Sequence, residues 1–188
     1  PITDEATYTY LDNTEFVGTA TSISIVTDTK THADIHLHTK GHGAASGLFS
    51  WGDIYNFGKF YSGLSNAEPA ATFKEKNDIS TIVFAPDPLN ENNYNVYALT
   101  VKDANQLNSA TQNEWNKWSR YTDIDERMKR INEYFGTKYL ENKTRLERFF
   151  LDTFNSYGIT LYKLENNQWK ELTPDASNNN GVTKKPCE

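Results

Sequence analysis

The first half of the chain alternates polar and apolar positions with the two-residue period of β-strands. Residues 5 to 26 predict a hairpin, because aromatic and β-branched side chains alternate with polar ones on both sides of a polar turn. Residues 79 to 85 are apolar on both faces and predict a central strand, and residues 94 to 101 predict its antiparallel partner. The turn-rich stretch between them, residues 86 to 93, predicts a loop.

A helical period first appears after Ser50. Apolar side chains recur there every three or four positions to about Gly63, which predicts a helix with one face packed on the sheet. That face consists of Ile54, Phe57, Tyr61 and Leu64, with Phe60 beside them. Ser50-Trp-Gly-Asp53 has the form of a capping box, so we expect the helix to begin at Ser50 and Asp53 to lie in its first turn.

The second half of the chain turns helical. One helix is predicted to open on the capping box Thr122-x-x-Asp125 and to end at Gly136, since glycine is the usual helix terminator. A second is predicted over residues 142 to 157, with an apolar stripe that stops at Gly158.

The chain closes with a predicted hairpin and an Asn-rich end. Residues 159 to 172 predict two strands around a turn at Asn166-Asn167. Residues 174 to 188 offer little to bury and predict a disordered tail, which leaves residues 1 to 173 as one domain. The expected fold class is α+β, with a mixed, mostly antiparallel central sheet flanked by helices.

Composition narrows the range of partners. The 188 residues include 37% hydrophobic and 23% charged residues, an ordinary balance for a globular domain. The net charge is −6, with no basic cluster longer than Lys184-Lys185, which argues against nucleic acid and against an anionic membrane as partner. The single cysteine, Cys187, excludes an internal disulfide framework and a cysteine-based zinc site. The start, Pro1-Ile-Thr-Asp, includes neither an initiator Met nor a signal pattern, so we expect a fragment or a processed domain.

The candidate chemistry lies between residues 34 and 53, which include three of the four histidines. Side chains at i and i+2 of a strand share a face, so His36 and His38 present two imidazoles side by side. A glycine-rich loop then lets the chain turn back to the Ser50 helix. Because a first-turn carboxylate faces the end of the preceding strand, Asp53 can join the His pair around one tetrahedral ion. The expected metal ligands are His36, His38 and Asp53, and the expected cofactor is Zn²⁺.

The order His-x-His, loop, Ser-x-x-Asp resembles the signature of the JAB/MPN (JAMM) zinc metallopeptidases. The four matching positions are His36, His38, Ser50 and Asp53, in a strong resemblance over residues 34 to 61 and a weaker one over most of the chain. The loop is longer than is usual for the family, and Thr39 stands where a proline is common. Such long-loop variants are found in C-terminal modules of large bacterial secreted or toxin-like proteins.

The resemblance implies a cytidine-deaminase-like α+β fold and hydrolysis of an amide bond in a peptide or protein. A zinc ion with an open coordination position lowers the pKa of water to about 7, and a carboxylate then serves as general base. The family takes that base from a Glu upstream of the His pair. Glu5 and Glu15 are the two candidates, and Glu5 is preferred because it opens the first aromatic strand. Ser50 would donate a hydrogen bond to the oxyanion.

Each feature also has a structural explanation, and some alternatives stay open. Ser50-x-x-Asp53 can be a helix cap and nothing more, and neither glutamate need be catalytic. The alternative function is therefore a non-catalytic metal-binding or protein-interaction module with the same fold, the C-terminal part of a larger secreted protein. Asp34 and His32 share the face of the His pair and could orient an imidazole. Phe49 and Trp51 could line a substrate or belong to the core. The sequence leaves open the substrate, the oligomeric state and the role of His42.

Overall fold

The computed structural model describes residues 33–40, 47–66 and 79–187. Its six strands are β1 (Ala33–Leu37), β2 (Ser80–Asp87), β3 (Asn90–Val101), β4 (Ile159–Glu165), β5 (Gln168–Pro174) and β6 (Val182–Pro186). Its helices are α1 (Trp51–Asn66), α2 (Ala104–Lys117), α3 (Ile124–Glu141) and α4 (Leu146–Phe154), with a 3₁₀ turn at Lys143–Arg145. The predicted hairpin of residues 5 to 26 lies outside the described residues.

The strands form one sheet in chain order from β1 to β6. β1 pairs with β2 in parallel, and every later pair is antiparallel. The prediction of an α+β fold with a mostly antiparallel sheet flanked by helices is confirmed. So is the central position predicted for residues 79 to 85, because β2 lies between β1 and β3.

The core lies between one face of the sheet and the helices. Alternate strand residues such as Val83 and Leu99 are fully buried there. On the other face of β1 and β2, Ile35, Leu37 and Phe84 are 51%, 53% and 40% exposed. This two-sided pattern follows from the period of two, and it places β1 side chains at even positions toward the helices.

Helix α1 confirms its prediction closely. It begins directly after Ser50, and Ile54, Phe57 and Tyr61 are buried on the predicted face. These side chains pack into the core cluster that also includes sheet residues, so the helix is held against the core from Ile54 to Tyr61. Leu64, the last position of the predicted face, lies outside the described side chains.

Helix α2 was not predicted. Its buried positions are Leu107, Thr111 and Glu114, which follow a helical spacing but include only one apolar side chain. The hydroxyl of Thr111 donates to the carbonyl of Leu107, and the Glu114 carboxylate accepts from the indole N–H of Trp118, so both polar groups are satisfied inside. Since a hydrophobic period was the signal sought, a helix that buries polar side chains was missed.

Helix α3 differs from its prediction at both ends. Its N-cap is Asp123, whose side chain accepts from the backbone N–H of Glu126 at 2.8 Å, so the predicted box at Thr122 and Asp125 is wrong by one residue. Gly136 is buried inside the helix and does not end it. A glycine inside a helix costs only about 1 kcal/mol relative to alanine, which the packing of buried Phe135 and Tyr139 on either side offsets.

The turns between β2 and β3 and between β4 and β5 can be compared with their predictions. β2 runs on to Asp87 and β3 begins at Asn90, so the predicted loop over residues 86 to 93 is wrong and a tight turn replaces it. The Asp87 carboxylate accepts from the N–H groups of Leu89 and Asn90 and stabilises this turn. The predicted turn at Asn166 and Asn167 is confirmed, with φ of 54° and 60°, as a two-residue hairpin of this kind requires.

The prediction of a disordered tail from residue 174 is also wrong. Pro174 is the last residue of β5, and Val182–Pro186 form β6 along the same strand. The connecting turn is held by the Arg148 guanidinium, whose Nη1 donates to the carbonyls of Asp175, Asn178 and Gly181 at 2.8, 3.1 and 3.3 Å. The segment is polar, so its composition predicted disorder. Backbone hydrogen bonds hold it in place, and composition does not reveal such bonds.

We expect Arg148→Met to destabilise the fold by about 1–3 kcal/mol, because three carbonyls lose a charged donor that is largely buried. The Arg148 side chain is 14% exposed. Urea unfolding measures the loss, and hydrogen exchange should show the amides of β6 exposed first.

Arg130→Met is the matched control. Arg130 is 43% exposed, and among the described residues its ion pairs are with Glu126 and Glu133 on its own helix. It also lies over the Tyr121 ring at 5.9 Å, a contact that is weak at an exposed site, so its removal should change stability by less than about 1 kcal/mol. Equal losses in the two variants would contradict the role given to Arg148.

Candidate metal centre

Strand β1 and the residue that follows it present three polar side chains toward the helices: Asp34, His36 and His38. The parallel pairing sets Asp34 opposite Thr81 and His36 opposite Val83. The backbone N–H of His38 donates to the carbonyl of Phe84 at 2.9 Å, which extends the β1–β2 pairing one residue beyond the strand. Both imidazoles therefore project from hydrogen-bonded backbone. They lie on the same face, as the i, i+2 spacing predicted, and their ring centroids are 5.2 Å apart.

The start of α1 is a reciprocal capping box, as predicted. The Ser50 N–H donates to Asp53 Oδ2 at 2.7 Å, and the Asp53 N–H donates to Ser50 Oγ at 3.1 Å. From α3, Asn132 Oδ1 accepts from the N–H of Gly52 at 2.9 Å, and the Tyr139 hydroxyl donates to the carbonyl of Phe49 at 2.7 Å. These contacts fix the first turn and hence the direction of the Asp53 carboxylate.

The strand and the helix bring His36, His38 and Asp53 together. His38 Nε2 lies 3.2 Å from Asp53 Oδ2, and His36 Nε2 lies 3.7 Å from Asp53 Oδ1. One ligand atom from each of the three residues falls within 4.8 Å of the other two. A tetrahedral zinc ion with bonds of about 2.0–2.2 Å sets its ligand atoms about 3.4 Å apart, so small side-chain rotations fit this group to one ion.

One atom of the cluster is an exception to the rule that buried polar groups are hydrogen-bonded. His36 Nε2 is buried and has no hydrogen-bond partner, since 3.7 Å to Asp53 is too long for one. Leaving such an atom unsatisfied typically costs about 1–3 kcal/mol. A metal ligand needs this arrangement, because its lone pair must point at the ion and at no donor.

The electrostatics of the cluster favour a positive charge at its centre. Burial alone lowers the pKa of His36, but the hydrogen bond to Asp34 and the nearby Asp53 carboxylate outweigh it and raise the pKa to about 9. Burial alone raises the pKa of Asp53, but His36 and His38 hold that pKa well below its usual range. A metal ion would replace the proton that the two carboxylates attract to His36.

Asp34 contacts His36 from the side away from Asp53. Its Oδ2 lies 3.2 Å from His36 Nδ1 and accepts a hydrogen bond from the Thr81 hydroxyl at 2.9 Å. This is the contact that the expectation for Asp34 requires. Sequence reasoning missed Thr81, Asn132 and Tyr139, because each is separated from its partner by at least 47 positions along the chain.

The other sequence candidates divide into two groups. Glu5, Glu15, His32 and His42 lie outside the described residues. Phe49 and Trp51 are fully buried, so they belong to the core and do not line a substrate. The Phe49 ring meets His36 edge-on at 6.1 Å and forms an apolar wall behind the cluster.

No protein-family model matches the chain, and no curated protein and no solved structure matches it. The resemblance to JAB/MPN metallopeptidases therefore rests on His36, His38, Ser50 and Asp53. In the part of the chain that the structure describes, no helix is both long enough and apolar enough to cross a membrane.

We expect the purified protein, loaded with zinc and desalted, to retain about one equivalent, and His38→Ala and Asp53→Asn to lose most of it. Asp53→Asn is informative because an amide oxygen can still accept from the Ser50 N–H, so the helix cap survives while the anionic ligand is lost. Elemental analysis measures the content, and circular dichroism checks the fold.

Asp123→Asn is the control, since it makes the same exchange at the N-cap of α3, where an amide oxygen can still cap the helix, and it should keep full occupancy. Retention of less than about 0.2 equivalents by the wild type would rule out the site.

Proposed function

We propose that the chain binds one zinc ion through His36, His38 and Asp53 and hydrolyses amide bonds in peptides or proteins. The observation that carries the proposal is the convergence of the three ligand atoms around the buried, unsatisfied His36 Nε2. Structural zinc sites normally close with four protein ligands, whereas catalytic sites use three and keep a position open. In the described part of the chain, three ligands converge here.

His36, His38 and Asp53 would hold the zinc ion, which when bound would lower the pKa of water and make hydroxide available at neutral pH. The residues around it would supply position and proton transfer. The capping box commits Asp53 Oδ2 to the Ser50 N–H and leaves Asp53 Oδ1 facing His36. The carboxylate is thus held by its own helix in the orientation that ligation needs.

Ser50 is suited to the second task, stabilisation of the oxyanion. Its Oγ acts as an acceptor in the cap, at 3.1 Å from the Asp53 N–H, so the hydroxyl proton is still available to donate. A hydroxyl can hold both roles at once, because a helix cap uses the oxygen and an oxyanion uses the proton. One well-placed donor of this kind typically contributes about 3 kcal/mol to the transition state.

The general base is assigned to Glu5, with Glu15 as the alternative, from their places upstream of the His pair. Asp34 is unsuited to the task. Its carboxylate is on the Nδ1 side of His36 and is occupied by the imidazole and by Thr81, so it faces away from the position where the three ligands converge. A base must reach the attacking water, take its proton and deliver it to the leaving amine.

We expect Ser50→Ala to lower the rate of hydrolysis by about 100- to 1,000-fold while zinc content stays unchanged. The same change removes a helix cap and should cost about 1 kcal/mol of stability, so stability must be controlled. Asp123→Ala is the matched control, because it removes the N-cap of α3 and should lose similar stability without loss of activity. Equal activities of Ser50→Ala and Asp123→Ala would contradict the oxyanion role.

We expect Glu5→Gln to abolish hydrolysis, by about 100- to 10,000-fold, with zinc occupancy and fold intact, because Gln keeps the shape but takes no proton. The assay is a library of quenched peptides together with isopeptide-linked proteins, run on zinc-loaded and chelator-treated enzyme. Glu15→Gln is the parallel variant, and loss in that variant alone would move the role to Glu15. A wild type that binds zinc yet cleaves no substrate in the assay would favour the non-catalytic metal-binding module.

A further inference from the structure

We propose that Asp34 and Thr81 are positioning residues that fix the His36 ring so that its Nε2, and not its Nδ1, binds the metal ion. The inference rests on the zinc site proposed above and adds two residues to it. Neither residue is among the ligands, and Thr81 belongs to a different strand from His36.

The register of the sheet brings Asp34 and Thr81 together. Asp34 and Thr81 are direct partners across the parallel β1–β2 pair, and both side chains point toward the helices. Thr81 is only 2% exposed, so its hydroxyl has almost no access to water. It donates instead to Asp34 Oδ2 at 2.9 Å, the same oxygen that lies 3.2 Å from His36 Nδ1.

The chemistry of these groups selects one form of the imidazole. An ionised carboxylate can only accept, so the His36 nitrogen that faces it must carry a hydrogen. In a metal-binding imidazole the other nitrogen then has the lone pair, and that nitrogen is Nε2. Nε2 is the buried atom without a hydrogen-bond partner, and it faces Asp53 Oδ1. Asp34 therefore directs the His36 lone pair to the place where the ligands meet.

Thr81 holds the Asp34 carboxylate in place. A carboxylate that holds only one imidazole is free to rotate, whereas the Thr81 hydroxyl anchors the oxygen from the neighbouring strand. Partners of this kind raise the basicity of a histidine ligand, and their removal typically lowers metal affinity by about 10- to 100-fold. A purely structural hydrogen bond between β1 and β2 would instead affect stability and leave metal affinity unchanged.

The test compares the zinc affinities of the wild type, Asp34→Ala, Thr81→Val and Thr81→Ser by competition with a chelating dye. We expect affinity to fall about 10- to 100-fold in Asp34→Ala and Thr81→Val, and Thr81→Ser, which keeps the hydroxyl, to bind like the wild type. Thr111→Val is the matched control, because Thr111 is also buried and hydrogen-bonded but lies in α2 and should not change zinc affinity. If Asp34→Ala does not fold, Thr81→Val decides alone, because it removes the anchoring hydroxyl and keeps the shape of the side chain, and an unchanged zinc affinity in it would overturn the inference.

A second measurement does not depend on affinity or on activity. Nitrogen-15 spectra of the zinc-loaded protein report which His36 nitrogen carries the hydrogen, and we expect a slowly exchanging proton on Nδ1 that is lost in Asp34→Ala. Zinc bound through His36 Nδ1, or unchanged zinc affinity in both Asp34→Ala and Thr81→Val, would overturn the inference while leaving the zinc site standing. A wild type that takes up no zinc would overturn the proposed function, and the inference with it.

Discussion

The candidate site depends on one carboxylate, Asp53, which belongs to two structures at once. It caps α1 by accepting from the Ser50 N–H at 2.7 Å, and the same oxygen lies 3.2 Å from His38 Nε2. The helix start is therefore joined to the end of β1 through a single side chain. If the helix began one residue earlier or later, the rotation of about 100° per residue would turn Asp53 away from the His pair.

The second constraint is charge. His36 lies between two carboxylates, with Asp34 at 3.2 Å and Asp53 at 3.7 Å, in a largely buried position. Two negative groups on one imidazole are tolerated only if a positive charge is shared between them. A proton on His36 meets this need in the metal-free protein, as its pKa of about 9 indicates, and a divalent cation meets it more fully.

Sequence reasoning worked where the information was local. The i, i+2 spacing of His36 and His38, the Ser50-x-x-Asp53 box and the turn at Asn166-Asn167 each depend on a few adjacent residues, and each was predicted correctly. These local features were enough to place the His pair on one face of β1 and Asp53 in the first turn of α1.

Sequence reasoning failed where contacts between residues distant in the chain decide whether a segment is helix, strand or loop. α2 buries Thr111 and Glu114 in place of apolar side chains, α3 passes through Gly136, and β6 is held by Arg148 from α4. A hydrophobic period or a glycine signal describes a segment in isolation, and in these three cases tertiary contacts override that signal.

The same distant contacts decide how well the site is prepared for a ligand. The turn that holds Ser50 and Asp53 is tied to α3 by Asn132 and by Tyr139, and His36 is tied to β2 through Asp34 and Thr81. Both halves of the cluster are thus fixed by elements outside the motif. A site whose ligands are already held in place loses little conformational entropy on binding, so more of the interaction free energy appears as affinity. The motif supplies the ligand atoms, and the contacts from α3 and β2 hold those atoms close enough together to share one ion.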